Sequence, residues 1–261
     1  MENRTMEFTT LDVSIDGRIG RITLNRPDKL NPLGTVPLIE LAEAAAWFDT
    51  TEASVVIVTG AGRAFSSGFD LREFAGDSDA TPRDNRAQAD LGRRMAEAME
   101  RMRAVTIAAI KGPCVGGGVV LAGVCDFRIA SDDTLFAIPE VDLGIPLAWG
   151  GIPRLVREIP PAIVRELVLT CRPFDADEAQ ALGFVNRVVP RVELESAVTE
   201  LAEQLARKAP SVVRATKRQV NTALENVAST AAAWADADQL GAALGDPEAR
   251  VAARDYLSRR R

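Results

Sequence analysis

Three consecutive glycines, Gly116-Gly117-Gly118, constrain this chain more than any other feature. Before them come the apolar run Val105-Thr106-Ile107-Ala108-Ala109-Ile110 and a short loop, Lys111-Gly112-Pro113-Cys114-Val115. After them come a small-residue helix pattern, Val119-Val120-Leu121-Ala122-Gly123-Val124, then Cys125-Asp126 and a second strand-like run, Phe127-Arg128-Ile129-Ala130. Strand, glycine turn, helix and strand make an α/β pattern. With each Cβ removed, a ligand can approach the main chain closely, and the N–H groups that open a helix have no intrahelical acceptor. Such a turn presents a main-chain donor to an oxygen that gathers negative charge. The Gly117 N–H is therefore expected to form one half of an oxyanion hole.

The rest of the composition narrows the chemistry. A chain of 261 residues with 47% hydrophobic content can bury one large core and still carry an appendage. Its formal charge of -6 argues against nucleic acid as a partner. The first ten residues are polar, which predicts no signal peptide, and no uncharged apolar run approaches the roughly 18 residues of a membrane helix. The 3 cysteines, Cys114, Cys125 and Cys171, lack CxxC spacing and are expected to be reduced thiols in a cytoplasmic protein. Histidine is absent, which excludes Ser-His-Asp and Cys-His catalysis and gives no ordinary zinc site. Ser66-Ser67-Gly68 is then a decoy for a nucleophile elbow, lacking the first glycine and a base.

Along the chain, residues 11–15 and 19–24 alternate around Asp16-Gly17 and predict a β-hairpin. Residues 25–32 are loop by their prolines and Asn/Asp content. Residues 38–48 carry an apolar stripe at Leu38, Leu41, Ala45 and Phe48, a helix; residues 55–58 are a buried strand. Thr59-Gly60-Ala61-Gly62-Arg63 fails as a dinucleotide turn because Phe65 stands where the third glycine would be, and no P-loop is present. Residues 77–85 predict a mobile loop and 86–103 an amphipathic helix whose Leu91, Met95, Met99 and Met102 fill core. Helix is expected over 155–170 with a break or fresh start at Pro160-Pro161, and over 175–182 up to Gly183. A strand over 184–189 follows, and the pattern is almost wholly helical from Val192 to the end.

Several stretches together resemble the enoyl-CoA hydratase/isomerase, or crotonase, superfamily. They are Leu24-Asn25-Arg26-Pro27-Asp28-Lys29-Leu30-Asn31-Pro32-Leu33, the run from Val56 through Gly68-Phe69-Asp70-Leu71, and the run from Ile110 through the triplet to Asp126. Phe136-Ala137-Ile138-Pro139-Glu140-Val141-Asp142-Leu143-Gly144-Ile145-Pro146 and the run from Leu169 to Val185 complete the set, in the family's order. The resemblance covers about residues 11–190 and implies an α/β fold, the crotonase (ClpP-like) spiral of repeated ββα units, with a C-terminal helical trimerisation region. The implied division is an acyl-CoA-binding core over 1–190 and a helical oligomerisation region over 191–261. It implies an acyl-CoA thioester substrate, no metal, no cofactor beyond the coenzyme A of the substrate, no nucleic-acid or membrane partner, and a homotrimer or hexamer. By the same resemblance the oxyanion hole is the N–H of Phe69 with that of Gly117, and Lys29, Leu30, Ser67, Asp70, Leu71 and Arg72 contact the substrate. Arg26, Lys29, Arg63 and Arg72 could supply the basic patch that coenzyme A phosphates need in a net-acidic protein.

The departures bear on the reaction. The family's hydratases carry two glutamates; one is present as Glu140, and Val120 stands at the other position. Hydration needs a water held and deprotonated while a proton reaches the α-carbon. A single carboxylate can still take a proton from one carbon and return it two carbons away, which is Δ3–Δ2 enoyl-CoA isomerisation. Ile138, Pro139, Val141 and Leu143 are expected to desolvate Glu140 and raise its pKa. The alternatives are a hydratase using Glu140 alone and a family member that binds acyl-CoA without chemistry. Ala148, Trp149 and Phe69 also depart from common family residues, and Trp149 with Phe69 can shape an acyl pocket.

Overall fold

The computed structural model describes residues 4–70, 73 and 81–258. The chain opens with β1 (Arg4–Glu7), β2 (Leu11–Asp16) and β3 (Ile19–Leu24), paired antiparallel in that order. Alternation in β2 turns Leu11, Val13 and Ile15 inward, and Gly17 takes the left-handed conformation that the tight turn requires. Helix α1 (Thr35–Phe48) then crosses the sheet, and Gly20 lacks the Cβ that would overlap the Phe48 ring.

Strand β4 (Val55–Gly60) runs parallel to β3, and β5 (Val105–Ile110) parallel to β4. Between them lie α2 (Pro82–Ala89) and α3 (Leu91–Arg101). Next come β6 (Pro113–Val115), α4 (Gly117–Gly123), β7 (Phe127–Ser131) and β8 (Leu135–Ala137). Helices α5 (Gly151–Glu158) and α6 (Pro161–Thr170), β9 (Phe174–Asp175), α7 (Ala176–Ala181) and β10 (Arg187–Val189) follow. The described strands form one sheet in the order β1-β2-β3-β4-β5-β7-β10 and a small one, β6-β8-β9.

Strands β4 and β5 are buried along their whole length because both faces are covered. Val56, Val58, Ala108 and Ile110 face the main core with α1, α3 and α4. Val55, Ile57, Ile107 and Ala109 face the other way, onto Leu194, Val198 and Ala202 of α8 (Leu194–Ala206). The helix just past residue 190 therefore closes the second face of the sheet, and the outer helical layer begins with α9 (Pro210–Val227), α10 (Asp236–Gly245) and α11 (Pro247–Ser258).

Three local expectations change. The helix over 86–103 is two helices, because the chain turns at Asp90 between α2 and α3. Residues 81–85, expected as loop, begin α2: Thr81 accepts from the Asp84 N–H, Asp84 reaches back to Thr81, and Pro82 takes the first turn. Residues 77–80 lie outside the described residues. The strand over 184–189 shortens to β10, since Phe184 and Val185 point into the core rather than pairing.

Candidate active site

The triplet folds as its lack of side chains allows. Gly116 has φ 51° and ψ −114°, a conformation open in practice only to glycine, and it caps α4. A Cβ there would overlap Glu140 Oε1, and one on Gly117 would overlap the Trp149 ring. The Gly116 N–H donates to Ala137 O at 2.8 Å, tying the turn to β8. The Gly117 and Gly118 N–H groups, at the start of the helix, have no protein acceptor among the described residues.

A second turn meets this one. Ser66, fully buried, pairs with Cys114 across a β-bridge; its Oγ donates to Asn31 O at 2.8 Å and accepts from the Gly68 N–H at 3.2 Å. Gly68 is left-handed, and a Cβ on it would stand 3.6 Å from Gly117 N. Leu33 bridges to Phe69 in parallel sense: its N–H donates to Gly68 O at 2.8 Å and its C=O accepts from Asp70 N–H at 3.1 Å. Because successive N–H groups in an extended strand alternate sides, the Phe69 N–H points away from Leu33. The two turns expected to cooperate are thus neighbours.

Glu140 follows β8. Its Oε2 is buried with no hydrogen-bond partner, and burial pushes the carboxyl up to about 7, opposed by the residue's own backbone N–H. Ile138 and Pro139 are buried as expected, but Val141 is 39% exposed and Leu143 only half-buried. Of the four neighbours expected to desolvate Glu140, two are therefore buried beside it. A cavity of about 270 Å³ brings Glu140 together with Phe69, Gly117, Val120, Leu147 and Trp149. Val120 is buried, so the wall where the second glutamate would stand is apolar. Trp149 and Phe69 meet edge to face with centroids 6.2 Å apart. Crevices of about 560 and 880 Å³ flank α9 and hold none of these groups.

The remaining expected contacts among the described residues, Lys29, Leu30, Ser67 and Asp70, do not line the Glu140 cavity. Leu30 and Asn31 are consecutive left-handed residues. Asn31, 1% exposed, ties this loop to the turn after β4: Nδ2 donates to Ala61 O and Ala64 O at 2.9 and 3.0 Å, and Oδ1 accepts from Arg26 N–H at 3.0 Å. Ser67 donates its N–H to Leu30 O at 2.8 Å and its hydroxyl to Lys29 O at 3.4 Å. Arg26 lies 3.7 Å from the Asp70 carboxylate, while Lys29 and Arg63 are exposed. A Cβ on Gly62 would stand 2.8 Å from the Pro27 side chain, which puts the Arg63 turn against the Lys29 turn. Leu71 and Arg72 lie outside the described residues.

Sequence reasoning missed two members. Asn31 stood in a stretch that carries the family resemblance, but nothing in its spacing marked it as the residue that holds this loop. Glu73 also lines the cavity, and its Oε2 accepts from the Thr35 N–H and hydroxyl at 2.8 and 2.7 Å, at the start of α1. No local spacing links 73 to 35.

Comparison with known proteins identifies the family. The enoyl-CoA hydratase/isomerase family model matches residues 14–261. The probable enoyl-CoA hydratase echA8 of Mycobacterium bovis is 37% identical over 222 residues, 85% of this chain and 84% of that protein. The peroxisomal Delta(3,5)-Delta(2,4)-dienoyl-CoA isomerase of Arabidopsis thaliana is 37% identical over 228 residues, 82% of each chain. The crystal structure of an enoyl-CoA hydratase/isomerase from Mycobacterium paratuberculosis superposes with a TM-score of 0.87 at 29% identity, covering 96% of this chain and 100% of that one. The architecture is the crotonase fold, and the chain belongs to the enoyl-CoA hydratase/isomerase family of enzymes.

Proposed function

We propose that this protein isomerises enoyl-CoA thioesters, moving a double bond from the Δ3 to the Δ2 position. The thioester oxygen is held by the N–H groups of Phe69 and Gly117, which stabilise the negative charge it gathers when the proton on C2 is removed. Glu140 takes that proton and delivers it to C4, so one carboxylate serves as base and then as acid. Lys29, Leu30, Ser67 and Asp70, with Leu71 and Arg72, contact the acyl-CoA substrate. The observation that carries the reading is the Glu140 carboxyl: buried, with Oε2 unpartnered and pushed by burial to about 7, with Val120 at the position of the hydratases' second glutamate and the cavity's other acid, Glu73, bound to Thr35.

The test is spectroscopic. A 3-enoyl-CoA should gain the absorbance of a conjugated thioester when the enzyme is added, and Glu140→Gln should slow that gain by about 100- to 10,000-fold. A hydratase using Glu140 alone would instead consume the absorbance of a 2-enoyl-CoA. A non-catalytic acyl-CoA binder would bind either thioester without exchanging α-protons into heavy water. Either result overturns the isomerase reading.

A further inference from the structure

A second pair of left-handed residues lies beside the site. Trp149 and Gly150 are consecutive left-handed residues, with φ of 64° and 65°. A tryptophan does not hold that conformation unaided, so its surroundings must impose it. Two side chains do so from opposite sides. Arg154, 2% exposed, donates Nη1 to Trp149 O and Gly150 O at 3.0 and 3.1 Å, and Nη2 to Glu100 at 2.7 Å. From the C-terminal layer, Asp236 Oδ2 at the start of α10 accepts from the Gly150 N–H at 2.7 Å.

The same short segment grips another wall of the cavity. Arg86 of α2 donates Nε to Asp238 Oδ1 at 2.7 Å and Nη2 to Trp234 O at 3.2 Å. Ala233 and Ala237 are buried, so the segment is seated on the protein body. Residues 234–238 therefore bear on α2 and on the turn that carries Trp149, whose ring lies against Gly117.

We propose that Asp236 is a positioning residue: by holding the Gly150 N–H it keeps the Trp149 ring seated on Gly117, and so makes the geometry of the oxyanion turn depend on docking of the C-terminal helices. The proposal rests on the reading of Gly117 as an oxyanion donor. It differs from a plain capping role, because an acid in the first turn of α10 would act through its charge on the helix dipole. Positioning needs only an acceptor at Oδ2.

That difference sets the experiment. Full-length Asp236→Ala and Asp236→Asn are compared in a background where Trp47 and Trp234 are replaced by Phe, so that emission reports Trp149. Asp236→Ala should lower kcat about tenfold with KM changed less than about twofold, the effect of losing one hydrogen bond to a charged group at a step that needs it. Its Trp149 emission should shift to the red. Asp236→Asn, which keeps an acceptor and loses the charge, should restore both kcat and emission. An Asp236→Ala enzyme with parental kcat and emission overturns the proposal, and so does Asp236→Asn as impaired as Asp236→Ala. If no variant turns over any enoyl-CoA, the isomerase reading fails, and emission still decides the clamp: a shift in Asp236→Ala reversed in Asp236→Asn upholds it, and no shift sinks it.

Discussion

Glu140 is asked to be two things in sequence, a base strong enough to take a proton from carbon and an acid able to return it. A carboxyl held at about 7 meets both demands near neutral pH. The same shift leaves a mark on stability. In the unfolded chain the group titrates near 4.5, in the folded one near 7, so the folded state binds the proton more tightly. Stability is full below pH 4.5 and falls as pH rises to 7, by about 3 kcal/mol for a shift of this size. Glu140→Gln should remove that fall: across pH 5 to 8 in chemical denaturation, the parent loses stability relative to the variant. A parent–variant difference that stayed flat across this range would show the carboxyl to be solvated. Activity runs the other way, kcat/KM rising through about 7 as the base form appears. Val120 supplies a second test at this scale. Val120→Glu places a carboxyl in the apolar wall, and it should confer hydration of 2-enoyl-CoA while lowering the melting temperature, because the site is buried and Val120 packs closely on Gly151. Failure to hydrate would mean that the missing acid is not what selects the reaction.

Among the elements, α9 is joined to the sheet through a buried ion pair. Lys217 Nζ donates to Asp126 Oδ2 at 2.7 Å and to Ala104 O at 2.8 Å, and the same carboxylate accepts from the Thr106 N–H and hydroxyl at 2.7 and 2.9 Å. Removing only the lysine leaves that carboxylate without its cation. Lys217→Met should therefore lower stability by about 3 kcal/mol, and adding Asp126→Asn should recover part of it. A denaturation midpoint unmoved by Lys217→Met would mean that Asp126 is held by Thr106 alone. Lys217 lies 91 positions from Asp126, and no local pattern links the two. The fold divides between local pattern and distant partner in the same way. The hairpin of β2 and β3, the buried strands, the glycine-opened α4 and the fresh start at Pro161 are written in local pattern, and so were legible. What was lost depended on partners distant in sequence. Two-residue β9 exists because Phe174 pairs with Phe136. Two losses are local exceptions: the Thr81–Asp84 capping box that starts α2, and the Asp90 break between α2 and α3, hidden by a continuous helical period. In the site, Glu140 and the Phe69 and Gly117 turns were found because each has a motif. Glu73 on Thr35 and Asp236 on Gly150 were not, because each joins segments tens of residues apart.

Taken whole, the molecule is acidic, with a formal charge of -6, yet the proposed substrate carries the phosphates of coenzyme A. A net field of that sign slows the approach of a polyanion unless a local patch reverses it. The described surface offers one. Lys29 and Arg63 are exposed on adjacent turns, while Arg26 is largely answered by Asp70 at 3.7 Å. Because the patch is at the surface, its attraction acts through water and is screened over about 8 Å at physiological ionic strength. Salt should therefore raise KM and leave kcat alone, since the patch lies outside the cavity that holds Glu140. Reversing both charges, Lys29→Glu with Arg63→Glu, should raise KM at low salt by roughly tenfold, the scale of two exposed ion pairs lost and two repulsions gained. The double variant should also lose the parent's salt dependence, because added ions would now screen repulsion as well as attraction. Steady-state kinetics over a salt series tests the point for parent and variant together. Equal KM values in the two enzymes at low salt would move the phosphate contacts away from this patch.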